Sequence, residues 1–252
     1  MTEGRRILWV RVWLLLIVVL AFTLTPLGQD FWGQLYSDSG FAVPMVYSSP
    51  YVVRVHVLDV GKADAILLES QGCKALLDAG TSAHGERVVD YLARCGITRL
   101  DFLIMSHPDS DHVGGMAWVL REVPVGTFLE GESWEGRGDL CQEYSDTKAL
   151  LEGHGVLVRT VAAGGSLSFG EGELQVLGPV NRYEDANNGS LVVKLVCSGF
   201  SALFCGDIEK EAELDLVKSG QDLSAVLLKV PHHGSSTSST KRFIQAVSPQ
   251  LA

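Results

Sequence analysis

Positive charge is scarce in this 252-residue chain: 20 lysines and arginines stand against 30 aspartates and glutamates, a net charge of −10. Phosphate backbones are gripped mainly by Lys and Arg, so the bulk balance argues against a general nucleic-acid coat and leaves room only for a local basic groove. Cysteine is sparse and unpatterned. Cys73, Cys95, Cys141, Cys197 and Cys205 form no CxxC pair and no short-period framework, which excludes a zinc ribbon and a disulfide scaffold. Their odd number leaves at least one free or joined to another chain. What is plentiful is apolar character, 46% of residues, enough for one large domain or two small ones with a buried core.

Long, mostly apolar runs are lacking too, with one exception. After Arg5, Arg6 and Arg11 comes VWLLLIVVLAFTLTPL, Val12 to Leu27, sixteen uncharged and mostly apolar residues. As a helix it spans about 24 Å, short of a hydrocarbon core of ~30 Å unless Arg11 snorkels and Trp9 and Trp13 sit at the interface. The segment reads as an uncleaved signal anchor over residues 1–28, with a removed signal peptide or an ordinary buried helix as alternatives. Positive charge stays inside, so either of the first two readings exports everything after Leu27. The result is a single-pass membrane protein with its catalytic domain outside the cytoplasm, or a secreted one. Residues 29–49 read as a spacer and 50–252 as the main domain.

From there the chain reads as strand-rich. Residues 51–60, 65–70 and 74–80 are short apolar runs punctuated by glycine, as in a meander, and residues 84–95 look helical with a stop at Gly96. LDFLIMS (100–106) is continuously apolar, as expected of a strand buried on both faces. It leads into HPDSDHVGG and then a helix over MAWVLREV. A helix near 139–153, strands near 156–161, 166–170 and 173–178, a hairpin over 190–207 turning at 198–200, a helix at 208–219 and a strand at 224–230 follow. In three places a buried strand runs into polar residues: at 106–112, 206–207 and 231–235. Strand ends converging on one sheet edge are where α/β proteins build sites.

His107, Asp109, Asp111 and His112 come from one loop. Brought together without a cation, their carboxylates would repel by several kcal/mol, on the order expected for close like charges away from water. A metal removes the conflict, and Gly114-Gly115 allow the backbone to pass tightly beneath. The bland alternative is a solvated turn with a capping aspartate. Asp207 could likewise be the N-cap of a helix beginning at Ile208, and Asp78 a turn residue before Gly80. His56, His84 and His154 read as ordinary histidines.

HPDSDHVGG resembles the HxHxDH signature of the metallo-β-lactamase superfamily, in the HxDxDH form of the hydrolase domain of ComEC-type competence proteins. LDVGKADAILL, NNGSLVVKL, FCGDIEKEAE and LLKVPHHGSSTSS resemble further motifs of that branch, in order and across nearly everything after Val52. The resemblance implies a four-layered αββα sandwich holding two divalent ions, zinc and/or manganese. His107 and Asp109 would hold one ion, Asp111 and His112 the other, Asp207 would bridge, and His233 would complete the second site. Asp111 and His232 would serve the reaction, His232 facing the substrate. Asp78, Asp59, Asp64, Asn188 and Ser190 would support the ligands from behind. Two departures stand out. Lys62-Ala63 replaces a usual glycine, and no histidine lies between the first cluster and Asp207 except the distant His154. Asp109 in place of histidine makes the site harder and shifts preference from zinc alone towards manganese or a mixed centre. Relatives also normally continue through one more strand and motif after AVSPQLA.

The implied activity is hydrolysis of an ester, phosphodiesters first, with single-stranded DNA met during DNA uptake as a candidate substrate and the membrane as a partner through the N-terminal helix. No protein partner is predictable. Two other classes remain: a small-substrate phosphoesterase acting on cell-envelope groups, and a non-catalytic metal-bound module. A basic stripe of Arg54, Arg182, Lys194, Lys229, Lys241 and Arg242 around the mouth would favour DNA. A narrow mouth lined by Tyr183, Trp134 and Trp118 would favour the small substrate, and an occluded mouth the module.

Overall fold

The computed structural model describes residues 3–25, 27–28, 52–131, 134 and 140–252; the spacer expected at 29–49 lies outside them. Helix α1 (Glu3–Thr23) forms over the arginine-led segment and takes in Val12–Thr23 of the uncharged run. It stops there because proline at 26 disfavours helical geometry in the residue before it and the chain turns at Leu24-Thr25, while residues 27 and 28 are again helical. Among the described residues no helix is long and apolar enough to cross a membrane. The spanning helix expected over residues 1–28 is not seen among the described residues.

The main domain is built on two sheets. The first has six strands in the order β1-β2-β3-β4-β5-β6: β1 (Val53–Val57), β2 (Ile66–Ser70), β3 (Cys73–Leu77), β4 (Leu100–Ile104), β5 (Val125–Glu130) and β6 (Leu157–Thr160). The β1-β2-β3 meander is antiparallel, and β3 to β6 are parallel. Parallel neighbours need crossovers, supplied by α2 (Gly85–Arg94), the single turn α3 (Ser110–Val113) with α4 (Met116–Glu122), and α5 (Gln142–Gly153). The strand order advances in one direction, so right-handed crossovers put all these helices on one face of the sheet.

The second sheet runs β11-β10-β9-β8-β7, with β7 (Ser166–Phe169), β8 (Gly172–Gly178), β9 (Val192–Cys197), β10 (Phe200–Phe204) and β11 (Leu227–Lys229). Only β10 and β11 are parallel there, and α6 (Lys210–Lys218) joins them; α7 (Lys241–Val247) follows. Beyond α7, Leu251 bridges Leu227 in parallel. Strand β5 and helix α7 went unread in the sequence, where residues 124–138 and 241–247 carried no expected element.

The two sheets face each other. Ile66, Leu68, Ala75, Leu77, Ile104 and Leu129 of the first meet Leu174, Val176, Val193, Leu195, Ala202 and Phe204 of the second in one buried cluster. Because side chains alternate along a strand, Leu67, Leu76, Leu103 and Phe128 point the opposite way and are equally buried, as the helix-covered face requires. On the far face of the second sheet, Val192, Leu203 and Leu228 pack with Ala212 and Leu216 of α6 and Phe243 and Val247 of α7. The inner strands of both sheets are thus covered on both sides, whereas β6 at the edge of the first sheet is exposed along its length.

Candidate metal centre

Four strand ends open onto one place. β3 ends before Asp78, β4 before Ser106-His107, β10 before Cys205-Gly206-Asp207 and β11 before the 3-10 turn Pro231–Gly234. Backbone hydrogen bonds stitch these ends together: Asp78 N to Ile104 O at 2.9 Å, Ala79 N to His112 O at 2.8 Å, Leu191 N to Ser106 O at 2.8 Å and His232 N to Gly206 O at 3.1 Å. The stitching needs glycine in two places. A Cβ on Gly115 would lie 2.0 Å from the Ala79 carbonyl, and one on Gly206, at φ +52, would lie 2.8 Å from the Ser190 side chain.

Asp111, His112, Asp207 and His233 each bring one ligand atom within 4.8 Å of the others. The His107 ring lies against that of His112, with centroids 4.2 Å apart, and its Nε2 is 3.6 Å from Asp109 Oδ2. Nε2 of His107, His112 and His233 and Oδ1 of Asp207 are buried without a hydrogen-bond partner. Two of these atoms are nevertheless close together, His112 Nε2 lying 3.3 Å from Asp207 Oδ1, and His233 Nε2 is 3.2 Å from the other carboxylate oxygen, Oδ2. The atoms approach one another without aligning as donor and acceptor. Orphaned buried polar atoms are costly, and lone pairs aimed at one point are what a cation satisfies. Imidazole and carboxylate donors in this number fit divalent transition ions.

The charge balance points the same way. Burial would raise the Asp207 carboxyl, but contacts with His112 and His233 outweigh it and hold the group far below the ordinary carboxylate range. For His112 burial works downwards, yet Asp78 and Asp207 push the imidazole up to about 10. Asp111, Asp207 and Asp64 push His233 up to about 11. The ligand carboxylates therefore demand positive charge, which protons supply in a cation's place.

Behind the ligands stands a layer of supports. Asp78 accepts from Ser106 N at 2.8 Å, Ser106 Oγ at 2.6 Å and His112 Nδ1 at 2.8 Å, so it fixes the ring whose Nε2 faces the centre. Asp64 lies 3.4 Å from His233 Nδ1. Ser190 Oγ accepts from Asp207 N at 3.1 Å, and Asn188 Oδ1 accepts from the backbone of Glu209 and Ala212, fixing the start of α6 just beyond Asp207. Ser106 was not singled out in the sequence, although its place between a buried strand and His107 marks it.

Several expectations change. Asp59 is not part of this layer: its carboxylate is 79% exposed and pairs with Arg87 at 3.1 Å, because the β1–β2 loop turns it outwards. Asp207 is not the cap of α6, whose N-cap is Glu209, and Asp109 precedes α3 without capping it through its side chain. Lys194 and Lys229 leave the expected basic stripe, since Lys194 is buried against Asp222 at 2.8 Å and Lys229 pairs with Asp64 at 2.7 Å. Trp134 and Tyr183 are buried, leaving Trp118 as the half-exposed member of the expected aromatic mouth. All five cysteines are free thiols. His232 sits at the open side, 21% exposed, with Nδ1 3.2 Å from Glu209 Oε1 and 3.3 Å from Thr237 Oγ1, and Nε2 3.7 Å from Asp207 Oδ2. Glu209 and Thr237 were missed in the sequence because nothing local marks them as neighbours of His232.

Residues 58–252 match the metallo-β-lactamase superfamily. The chain is 29% identical over 220 residues to ComE operon protein 3 of Bacillus subtilis, a match covering 79% of this chain and 28% of that protein. It is 32% identical over 203 residues to competence protein ComA of Neisseria gonorrhoeae, covering 79% and 26% respectively. The chain therefore spans only about a quarter of the length of these curated relatives. Among solved structures, CmlA, a diiron β-hydroxylase from Streptomyces venezuelae, has a similar fold, with a TM-score of 0.54 at 13% identity, covering 81% of this chain and 44% of that one. With the family's motifs at the ends of facing sheets and their ligand atoms converging, the chain belongs to the metallo-β-lactamase superfamily.

Proposed function

We propose that this protein is a metal-dependent hydrolase of ester bonds, with phosphodiesters as its first substrate class. The observation that carries the reading is the convergence of ligand atoms from Asp111, His112, Asp207 and His233 within 4.8 Å of one another, with Nε2 of both histidines and Oδ1 of Asp207 buried without a hydrogen-bond partner. Likeness to competence proteins supports a nucleic-acid substrate, single-stranded DNA in particular. Two divalent ions held there would supply Lewis-acid charge for hydrolysis. The chain's own part follows from position. His107 with Asp109 would hold one ion, Asp111 with His112 and His233 the other, and Asp207 would serve both. Asp78 keeps the His112 ring aimed inwards. His232, held by Glu209 and Thr237 on the exposed side, is placed to pass a proton to a leaving oxygen.

A fold shared with a diiron protein does not select zinc. Asp109 adds an oxygen donor where zinc sites often have histidine, which favours manganese or a mixed centre. Two zinc ions retained at full stoichiometry after mild chelation would overturn that preference. We further propose that the protein meets its substrate outside the cytoplasm, the arginine-led apolar segment serving for export.

Lys194 and Lys229 are neutralised internally, while Asp109 and Asp111 reach the open side, so the opening carries little free positive charge from these groups. This favours a second reading, a phosphoesterase for small substrates such as cell-envelope groups. Exposure of Asp109 and His232 speaks against an occluded, non-catalytic module. The test is hydrolysis by the manganese- or zinc-loaded full chain of single-stranded DNA, bis-p-nitrophenyl phosphate and p-nitrophenyl phosphorylcholine. Turnover of the first two supports the phosphodiesterase and turnover of the third alone the small-substrate enzyme; inertness towards all three rejects hydrolysis of these esters.

A further inference from the structure

His112 and His233 turn their Nδ1 atoms towards carboxylates, but the two carboxylates are held differently. Asp78 meets His112 at 2.8 Å and is itself fixed by the neutral donors of Ser106. Asp64 meets His233 at 3.4 Å with Oδ1, while its Oδ2 is taken by the Lys229 ammonium at 2.7 Å. Lys229 also donates to the Val230 carbonyl at 3.1 Å, immediately before the turn that carries His233. Asp64 is buried, and only 9% of the His233 side chain and 17% of the Lys229 side chain are exposed.

His233 needs such a hold. It and His232 both sit at φ +49, a left-handed conformation that is unfavourable for a non-glycine residue and persists only where surrounding contacts enforce it. Asp64 is well placed to enforce it, because its own backbone is pinned twice. Its N–H donates to the Asp111 carbonyl at 3.2 Å and its carbonyl accepts from Gly80 at 2.7 Å. Asp64 thus joins the β1–β2 loop, the loop after β3, the Asp111 ligand segment and the His233 turn.

We infer that Lys229 is a positioning residue for the metal centre, acting through Asp64: the ammonium anchors Oδ2, which leaves Oδ1 facing His233 and keeps its Nε2 aimed beside Asp207. The inference rests on the metal-centre reading above. It assigns to Lys229 a structural-chemical role in place of the substrate-facing one suggested by its sequence neighbourhood. A lysine in the penultimate link of a ligand chain affects how firmly the cation is held, since partners behind a ligand are worth about 10–100-fold in metal affinity.

The experiment is competition for Zn²⁺ or Mn²⁺ between the full chain and a chromophoric chelator at fixed pH, with circular dichroism to confirm folding. Asp64→Asn is expected to weaken binding of one ion about 10–100-fold. Lys229→Met is expected to weaken it in the same direction, Lys229→Arg to retain most of the affinity, and the Asp64→Asn/Lys229→Met double variant to bind no worse than Asp64→Asn alone. Lys229→Gln, which keeps a donor and a shorter stem, replaces Lys229→Met if the latter does not fold. A folded Lys229→Met or Lys229→Gln that binds metal as tightly as the parent overturns the inference, as does a double variant whose losses multiply. Failure of the underlying reading looks different: the parent then takes up no metal, or Asp207→Ala binds as the parent does.

Discussion

At the scale of single residues, the centre is defined by side chains that lack partners rather than by those that have them. Asp207 lies closest to the greatest number of ligand nitrogens, so Asp207→Ala should lower metal affinity by more than the ~100-fold ceiling of an outer partner, with activity falling alongside. Titration with a chelator checks the first and turnover the second; a variant that binds and turns over as the parent does rejects the site. A second expectation concerns pH in the metal-free protein. His112 and His233 are raised from 6.5 to about 10 and about 11 by the carboxylates around them. Groups with raised values stabilise the fold below their unfolded value and lose that contribution as pH climbs through the folded one. Thermal melts of the metal-free chain should therefore show a midpoint that declines from about pH 6.5 towards 10 and 11, while the loaded protein, its imidazoles already neutral, should lack this decline. A metal-free profile that is flat over this range would contradict the assignment. For His232, Glu209→Gln should leave metal content unchanged and reduce kcat more than it changes KM, because it alters the hold on a group outside the ligand set.

At the scale of elements, two glycines let four strand ends meet. Gly115→Ala would press a methyl onto the Ala79 carbonyl, which is backbone and cannot swing aside; about 1–3 kcal/mol of stability should be lost, together with metal affinity, because Ala79 is tied to His112. Urea unfolding and chelator competition on one preparation read both, and an unchanged midpoint would show that the backbone gives way without cost. The motif-bearing elements were legible in the sequence because their signal is local. LDFLIMS is a run with one possible fate, buried on both faces, and HPDSDHVGG must follow it as a loop. Strand β5 was not legible: VGTFLE follows Pro124, contains Gly126, and becomes a strand because β4 and β6 flank it in parallel. Helix α7 is too short for periodicity to reveal, and is held by Phe243 and Val247 in the outer core of the second sheet and by the Thr240 cap. In the N-terminal run apolar composition is visible at once, but where its first helix ends depends on the turn at Leu24-Thr25.

At the scale of the whole molecule, the site is the seam of a sandwich. Ligands from the first sheet (His107, Asp109, Asp111, His112) and from the second (Asp207, His233) meet only because the inner faces pack. Phe204→Ala, which empties a fully buried position between the sheets three residues before Asp207, should cost about 3–5 kcal/mol and weaken metal binding as well. Conversely, saturating metal should raise the unfolding free energy by about 2.7 kcal/mol at a hundredfold excess over Kd, because the unfolded chain separates the ligands. Calorimetry with and without chelator measures it; no change in Tm on loading would mean that the folded chain binds the cation no better than the unfolded one. The sequence by itself determined the ligand types, their order and the strands that deliver them, since those depend on neighbours in the chain. Only the tertiary structure decided that Asp59 faces solvent while Asp64 stands behind His233, that Lys229 and Lys194 spend their charge inside the protein, and that Glu209 and Thr237 flank His232. Each of those outcomes is a contact between segments far apart in sequence, and no local pattern records which of two similar carboxylates the fold will turn inwards.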